Sequence, residues 1–286
     1  MTLRVAVRLP NHLGDTVMAW PALEALAARH AVTVYGPRLL RPFWSRGPWS
    51  LPRPMPRHDH DAAILFAPSW RAAWEARRVR RRIGTPTDHR RVLLTEVVTP
   101  RAHRSATYAA LAAQLGAVAD GPPRLPPRPS TDVPHIGLNP VVKGGPTRAW
   151  TGFRELADAL AADAPVVFYA GPGEGTQLAA VAGPHRQVAG LSLPDFAERL
   201  GACRVFVSND AGAAHFARAL STPTVVVYGS TVPERTGPAG AVAVRGPRLP
   251  CAPCYRSRCR LGETPVPCLD VPVDVVRARV EALWAR

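Results

Sequence analysis

"RVFVSNDAGAAHFARALSTPTVVVYGST" (residues 204–231) begins and ends with short, almost continuously apolar segments, and the segment between them has the apolar spacing of a helix. Apolar strands that alternate with helices are typical of parallel β-sheets covered on both faces. The stretch is therefore predicted to be one strand–helix–strand unit of an α/β fold. Ligands of such folds bind beyond the carboxyl ends of the strands.

The same alternation extends from this stretch over the rest of the chain. In the second half we predict further strands at 135–140 and 165–171, and helices at 151–163, 174–182 and 195–202. In the first half we predict strands at 3–9, 31–36, 61–68 and 91–95, and helices at 15–30, 69–82 and 104–116. A final amphipathic helix is predicted at 271–286. The pattern indicates two Rossmann-like domains that face an inter-domain cleft.

A proline-rich segment separates the two halves. Residues 120–134 (DGPPRLPPRPSTDVP) contain six prolines in fifteen positions. Such a segment forms neither a helix nor a central strand and behaves as a semi-rigid linker. We therefore predict one domain at 1–125 and a second at 126–270, followed by the helix at 271–286.

The composition is strongly basic. The 286 residues include 36 Lys and Arg against 21 Asp and Glu, a formal net charge of +15, and Lys143 is the single lysine. This charge favours anionic partners: nucleic acid, an anionic membrane surface or a phosphorylated substrate. The densest run, RRVRRR at 77–82, is predicted to form a solvated basic helix face or a contact for an acceptor or a membrane. The chain has no apolar run long enough to span a bilayer and no secretory signal pattern, so we expect a cytoplasmic protein.

Four groups of residues at predicted carboxyl ends of strands are candidates for a site. In NHLGD (11–15), Asp15 either caps the following helix or serves as a general base. In VVKGGPTRAW (141–150), Lys143 and Arg148 either bind an anion or belong to an ordinary basic loop. In AGPGEG (170–175), Glu174 either accepts hydrogen bonds from a ligand or stabilises the next helix.

The fourth group is SNDAGAAHF (208–216). Small residues after Asp210 leave the amides of a helix N-terminus accessible, and such amides attract phosphate. His215 either reaches the same anion or packs in the core. The following loop, YGST (228–231), offers hydroxyl groups.

Four of the five cysteines cluster near the carboxyl terminus, at Cys251, Cys254, Cys259 and Cys268. In a chain expected to be cytosolic, such a group indicates a metal site before disulfides. The spacing is not the paired pattern of a zinc ribbon. We expect a structural role, either as a bound zinc ion or as a closely packed thiol cluster. Cys203 is predicted to be a small core residue.

Three motifs together resemble a known family. RLPNHLGDTVMAWPALEAL (8–26), PTRAW (146–150) and VSNDAGAAHFARALSTPTVVVYGSTVPERTGP (207–238) resemble the motifs of glycosyltransferase family 9, the ADP-heptose:lipopolysaccharide heptosyltransferase family. CAPCYRSRC (251–259), with a later cysteine, resembles the tail of many type II members. The resemblance covers both halves of the chain in the family's order.

The resemblance implies a GT-B architecture, with an acceptor-side domain followed by a nucleotide-sugar-binding domain, and a final helix that packs back on the N-terminal domain. It implies an inverting transfer of heptose or a related sugar from an ADP-sugar to a lipopolysaccharide-type acceptor, with no cofactor required for catalysis. Asp15 matches the proposed catalytic base. The positions that the resemblance and the loop chemistry assign to the donor are Asn11, Lys143, Arg148, Glu174, Asp210, Ala211, Gly212, His215 and Thr231.

Two of these positions depart from the family's usual residue. Arg148 stands where the family usually has Lys, and Ala211 where it often has Ser or Thr. An arginine keeps the charge but changes the geometry. The implied partners are a nucleotide-sugar donor and an anionic glycolipid acceptor, with peripheral contact at the cytoplasmic membrane surface.

Three alternatives to this function remain. The first is the same chemistry with another nucleotide-sugar and another acceptor, and the second is a sugar-nucleotide-binding protein without catalysis. The third is a nucleic-acid binder, which the charge suggests; the sequence lacks a recognised module for it.

Overall fold

The computed structural model describes residues 1–37, 59–126, 133–262 and 265–285. The chain divides into two compact units, Met1–Pro123 and Arg124–Arg286. The predicted boundary at 125 lies two residues from this division. Residues 127–132 of the predicted linker lie outside the described part of the chain.

The first unit is built on a parallel sheet. Its strands are β1 (Arg4–Arg8), β2 (Ala31–Tyr35), β3 (Ala62–Leu65), β4 (Arg81–Gly84) and β5 (Glu96–Val97). They lie in the order β2-β1-β3-β4-β5. The helices of this unit are α1 (Leu13–Arg29), α2 (Trp70–Glu75) and α3 (Arg104–Ala113). Since β1 and β3 are buried along most or all of their length, they form the centre of this unit's core.

The second unit carries a parallel sheet of its own. Its strands are β6 (His135–Asn139), β7 (Val166–Ala170), β8 (Arg186–Ala189), β9 (Cys203–Asn209), β10 (Thr224–Tyr228) and β11 (Val242–Arg245). They lie in the order β11-β10-β9-β6-β7-β8. The helices are α4 (Phe153–Leu160), α5 (Gly175–Ala182), α6 (Leu193–Gly201), α7 (Gly212–Ala219), α8 (Pro233–Thr236) and α9 (Val273–Trp284). The decisive stretch 204–231 supplies β9, α7 and β10, as predicted.

The final helix α9 belongs to the second unit. Its buried residues, Val276 and Val280, lie in the core that also contains residues of α4 and β9. Arg204 on β9 lies over the ring of Trp284. Its buried face completes the core of the second unit. The predicted packing of this helix on the N-terminal domain stays a prediction.

Two predictions in the first unit were wrong in detail. The helix predicted at 69–82 ends at Glu75, and the last two arginines of the basic run, Arg81 and Arg82, begin β4. The reason is backbone pairing: β4 pairs with β3 along its length and with β5 at Ile83 and Gly84, while Ile83 enters the core. The strand predicted at 91–95 is largely a 3₁₀ turn, Arg90–Leu93, because the buried guanidinium of Arg90 donates to nearby carbonyl groups.

Among the described residues, none of the helices has the length and apolar character needed to cross a bilayer.

Candidate functional site

Three loops of the second unit leave the carboxyl ends of adjacent strands. Strands β6, β9 and β10 are neighbours in the sheet and run parallel. Their carboxyl ends continue into 140–150, 210–211 and 229–231, which contain most of the predicted donor-binding residues. Because parallel neighbours end at one edge of a sheet, the topology brings these loops together.

Asn209, the last residue of β9, fixes the first of these loops at both ends. It is fully buried. Its Nδ2 donates to the carbonyl of Pro140 (2.7 Å), and its Oδ1 accepts from the amide of Trp150 (3.0 Å). The sequence analysis did not single out Asn209. The sequence did contain a signal for it. A buried amide side chain at the end of a strand needs hydrogen-bond partners, so an asparagine there indicates contact with a neighbouring loop.

The third loop holds the 3₁₀ turn Pro146–Arg148 against the sheet edge. The amide of Ser230 donates to the carbonyl of Thr147 (3.1 Å), and the two hydroxyl groups are 3.2 Å apart. A Cβ at Gly229 would lie 2.6 Å from that same carbonyl oxygen, so only glycine permits the approach. These contacts determine where Arg148 stands.

Arg148, Asp210 and Thr231 converge above this edge. The hydroxyl of Thr231 donates to Oδ2 of Asp210 (2.7 Å), and Nη1 of Arg148 lies 4.0 Å from the same oxygen. Nε of Arg148 is buried and has no hydrogen-bond partner among the described residues. A buried cationic N–H without a partner is costly, so this group is suited to an anionic ligand.

Helix α7 begins at the same place without a side-chain cap. Its N-cap residue is Ala211, whose side chain offers no acceptor for the first amides. Ala211 and Gly212 are only partly buried, and His215, one turn further on, is buried. The helix start therefore combines accessible amides with the positive end of the helix dipole, as an anion site requires.

Lys143 and Glu174 pair with each other at the side of this site. Nζ of Lys143 lies 3.7 Å from Oε1 of Glu174, and Oε2 of Glu174 accepts from the amide of Gly171 (2.8 Å). The carboxylate thus stabilises its own turn before α5. The side chain of Lys143 is 73% exposed. This geometry favours a local structural role for Glu174 in the state described here.

In the first unit, Asp15 lies in the first turn of α1. The N-cap of that helix is His12, so Asp15 is not the capping residue that we had considered. Its Oδ1 accepts a hydrogen bond from Nη1 of Arg104, at the start of α3. Asn11 Oδ1 accepts from Nη2 of Arg8 at 3.3 Å. The Asp15–Arg104 pair joins residues 89 positions apart, and the sequence analysis missed Arg104.

Tyr108 shows that the Asp15 carboxylate acts on its surroundings. Burial raises the pKa of the Tyr108 hydroxyl well above its usual value, and the negative charge of Asp15 raises it further, while Arg104 opposes this effect. Tyr108 therefore keeps its proton.

The cysteine segment lies against the loops of the second unit's site. The amide of Tyr255 donates to the carbonyl of Ser230 (3.0 Å), and the carbonyl of Arg256 accepts from the hydroxyl of Thr147. Burial raises the pKa of the Cys268 thiol, as do the thiols of Cys254, Cys259 and Cys251, so the four lie near one another. In the described part of the chain, no group of three or more His, Cys, Asp or Glu side chains is arranged to hold a metal ion. The zinc site stays a prediction.

Comparison with known proteins gives a consistent result. The family model described as glycosyltransferase family 9 (heptosyltransferase) matches residues 104–264. The lipopolysaccharide heptosyltransferase 1 of Pseudomonas aeruginosa is 41% identical over 70 residues, which are 24% of this chain and 20% of that protein. The lipopolysaccharide heptosyltransferase 2 of Escherichia coli K12 is 32% identical over 121 residues, 38% of this chain and 35% of that protein. The matched regions thus span about a fifth and a third of these relatives.

Among solved structures, that of the E. coli ADP-heptose lipopolysaccharide heptosyltransferase II superposes with a TM-score of 0.80 at 23% identity, over 99% of this chain and 98% of that one. This likeness shows the fold. The predicted class, an α/β protein of GT-B architecture with two Rossmann-like domains, is confirmed.

Proposed function

The chain belongs to glycosyltransferase family 9, the heptosyltransferase family, and on this basis we propose that it is an inverting glycosyltransferase that uses an ADP-sugar. The matched family model covers more than half of the chain. We propose heptose or a related sugar as the group transferred, and a lipopolysaccharide-type glycolipid as the acceptor. The observation that supports this best is the start of α7, where amides without a side-chain cap lie close to Arg148, whose buried Nε has no partner in the part of the chain that the structure describes.

We assign the donor's diphosphate to this helix start. The amides of Ala211 and Gly212, the helix dipole and the guanidinium of Arg148 supply the positive groups that a diphosphate needs. Lys143 adds long-range attraction from a more exposed position. We place His215 and Asp210 beside the sugar and diphosphate, and Thr231 next to them through its bond to Asp210.

The proposed reaction is a single displacement. The oxygen of an acceptor hydroxyl forms a bond to the anomeric carbon of the sugar, while the bond from that carbon to the β-phosphate oxygen breaks. The electron pair of the broken bond leaves with ADP, whose added charge the α7 amides and Arg148 stabilise. The proton of the acceptor hydroxyl passes to Asp15. Attack opposite to the leaving group inverts the anomeric configuration.

Asp15 suits the role of base because only one of its oxygens is engaged. Arg104 binds Oδ1, and Oδ2 accepts no hydrogen bond from the described residues. A carboxylate held through one oxygen is oriented and leaves the second oxygen for the acceptor proton. Asn11, four residues earlier, is proposed to lie beside the donor.

Two alternatives keep the same fold. The first uses another nucleotide-sugar with a different acceptor, and the second binds a sugar nucleotide without turnover. For the cysteine segment we propose that its main role is to brace the donor loops through Tyr255 and Arg256. We further propose that the protein acts in the cytoplasm at the inner leaflet.

The test is a transfer assay with ADP-heptose and a truncated lipopolysaccharide acceptor, in which ADP release and glycosylated product are both measured. We expect turnover by the wild type and a loss of about 10²- to 10⁴-fold in kcat for Asp15→Asn, since that is the usual contribution of a general base. Binding of ADP should be unchanged in this variant.

A panel of other nucleotide-sugars distinguishes the alternatives. Turnover with a different nucleotide would contradict the ADP-heptose assignment but keep the enzyme class. Donor binding with no turnover on any acceptor would favour the binding protein instead.

A further inference from the structure

Helix α2 and the 3₁₀ turn Arg90–Leu93 lie next to each other in the first unit and expose an unusual set of side chains. Trp70 and Trp74 are 40% and 49% exposed, and Val92 is 79% exposed. Because the two tryptophans are four residues apart, they lie on one face of the helix.

Arginines flank these apolar groups along the chain. Arg71, Arg78, Arg80 and Arg91 are all exposed. Within the basic run, Arg81 is paired with Glu96 and Arg82 donates to backbone carbonyls, whereas Arg78 and Arg80 have no ion-pair partner in the described part of the chain. Arg77 stacks over the ring of Trp74 at 4.2 Å. We call Trp70, Trp74, Val92, Arg71, Arg78, Arg80 and Arg91 the tryptophan–arginine surface.

Few negative charges offset these cations. Glu75 lies between Arg71 and Arg8 and is neutralised by both, at 3.0 Å each. Asp88, which is exposed, accepts from the amide of Trp70 (2.6 Å) and adds one negative charge at this end of the surface. Exposed indoles within a net positive field are the combination found where proteins rest on lipid headgroups. Arginine also suits a lipid-binding surface, because its apolar stem can lie along the bilayer while its guanidinium stays in water.

We propose that the tryptophan–arginine surface docks the first unit onto an anionic phospholipid bilayer. The tryptophans enter the headgroup region, and the arginines bind lipid phosphates. A protein partner is less suited to this surface, because interface cores are depleted of charge, whereas here exposed cations stand among the apolar side chains. An anionic leaflet attracts these cations, and this charge complementarity favours a lipid surface as the partner.

The position of the surface fits an enzyme with a lipid-linked acceptor. Helix α2 follows the carboxyl end of β3, and Asp15 follows the carboxyl end of the adjacent β1. Arg8, the last residue of β1, donates to Glu75 of α2. The Trp70 end of the surface and the proposed base therefore belong to the same edge of the first sheet, whereas Arg78 and Arg80, which precede β4, lie towards its opposite edge. In this respect the inference rests on the proposed function, but lipid binding itself needs neither donor nor acceptor.

The test is co-sedimentation of the full chain with vesicles, without substrates. Vesicles of phosphatidylcholine with 30% phosphatidylglycerol are compared with pure phosphatidylcholine. We expect binding to the anionic vesicles only. Each surface cation adds about 1 kcal/mol, roughly fivefold in affinity, so Arg78→Glu/Arg80→Glu should weaken binding at least about 25-fold. Trp70→Ala/Trp74→Ala should weaken it at least about tenfold, since two partly inserted rings are lost.

The matched control is Arg186→Glu/Arg279→Glu, which reverses two exposed arginines of the second unit and changes the net charge equally. It should bind within about threefold of the wild type, because charges outside the contact act only through the screened field. Thermal unfolding verifies that every variant is folded; if the tryptophan pair fails to fold, the arginine pair decides.

Several outcomes would overturn the proposal. The proposal is wrong if the wild-type chain stays in the supernatant. It is also wrong if the control variant loses as much affinity as the arginine pair, because binding would then depend on net charge alone. A dimer that dissociates in the tryptophan variant would mark a protein interface, and displacement of the vesicles by a DNA duplex would mark a nucleic-acid surface. Sugar transfer to a soluble acceptor fragment is measured in the same variants, so that a loss of lipid binding is distinguished from a loss of the proposed transferase activity. That activity should be unchanged.

Discussion

Arg148→Met removes a guanidinium that lies beside Asp210 and whose Nε has no hydrogen-bond partner among the described residues. Its side chain is 29% exposed, and Nε is buried without a partner in the described residues. A diphosphate oxygen bound there gains a charge-assisted hydrogen bond, worth about 1.5–3 kcal/mol. The Kd for ADP should therefore rise by about 10- to 150-fold, with about 50-fold as the central expectation.

The assay is calorimetric titration with ADP and, separately, with adenosine. Because Arg148 is assigned to the diphosphate, adenosine should bind the variant and the wild type equally. Arg148→Lys should recover part of the lost affinity, since it restores the charge but not the planar fork. Lys143→Met is the matched control: that cation is mostly exposed and its loss should cost no more than about fivefold.

Two results would refute this reasoning. If Arg148→Met binds ADP within twofold of the wild type, the guanidinium does not touch the diphosphate. If adenosine binding falls as much as ADP binding, the variant has disturbed the loop and not a phosphate contact. Thermal unfolding of the ligand-free variant checks the second case, since Thr231 still satisfies one oxygen of Asp210.

Three further predictions concern stability and metal content. Arg90→Met should lower the free energy of unfolding by about 3 kcal/mol or more in urea titrations, because the fully buried guanidinium donates to Thr85 and other carbonyl groups. At the exposed neighbour Arg91, the substitution Arg91→Met should change it by less than about 0.5 kcal/mol. Burial holds the pKa of His60 below its usual 6.5, so the unfolded chain takes up the proton first and the free energy of unfolding should decrease as the pH falls below about 6.5. His60→Phe should flatten this dependence between pH 7.5 and 5.5. A control substitution at the exposed His89 should leave it unchanged. If the cysteine cluster binds zinc, metal analysis of purified chain should find about one equivalent, and the substitution Cys268→Ser should lower it; less than about a tenth of an equivalent of zinc or iron would leave only the packed-thiol alternative.

The periodic parts of the fold could be predicted from the sequence, and the edges could not. Strands β9 and β10 with α7 between them follow from 204–231, because the buried segments 205–207 and 225–227 are continuously apolar and the helix between them shows one apolar face. Edge strands lack this signal: β8 and β11 are only partly buried, and no strand was predicted at either. The helix prediction for the basic run failed for a related reason. Arginine favours helices by propensity, but backbone pairing with β3 and β5 and the burial of Ile83 place Arg81 and Arg82 in β4.

The candidate site divides in the same way. Residues at the ends of strands were found because topology places them at one edge, whatever their partners. Arg104 was missed because its relation to Asp15 spans 89 positions and depends on how α3 packs against α1. No local pattern contains that information. Asn209 was missed although it carried a signal, because the charged Asp210 that follows it is the stronger candidate for a ligand contact.

The structure also changes what Asp210 and Thr231 can do at an anion site. A threonine hydroxyl has one proton, and here that proton is donated to Asp210. While this bond stands, Thr231 cannot donate to a phosphate oxygen. An ionised Asp210 would repel the same phosphate, so direct contact between the two is unfavourable. In the proposed site the carboxylate is better placed to accept hydrogen bonds from sugar hydroxyl groups, since an ionised carboxylate only accepts. The α7 amides and Arg148 are then the groups that we propose for the diphosphate. This division of roles also explains how the site can use Ala211, because a capping hydroxyl there would compete with the ligand for the same amides.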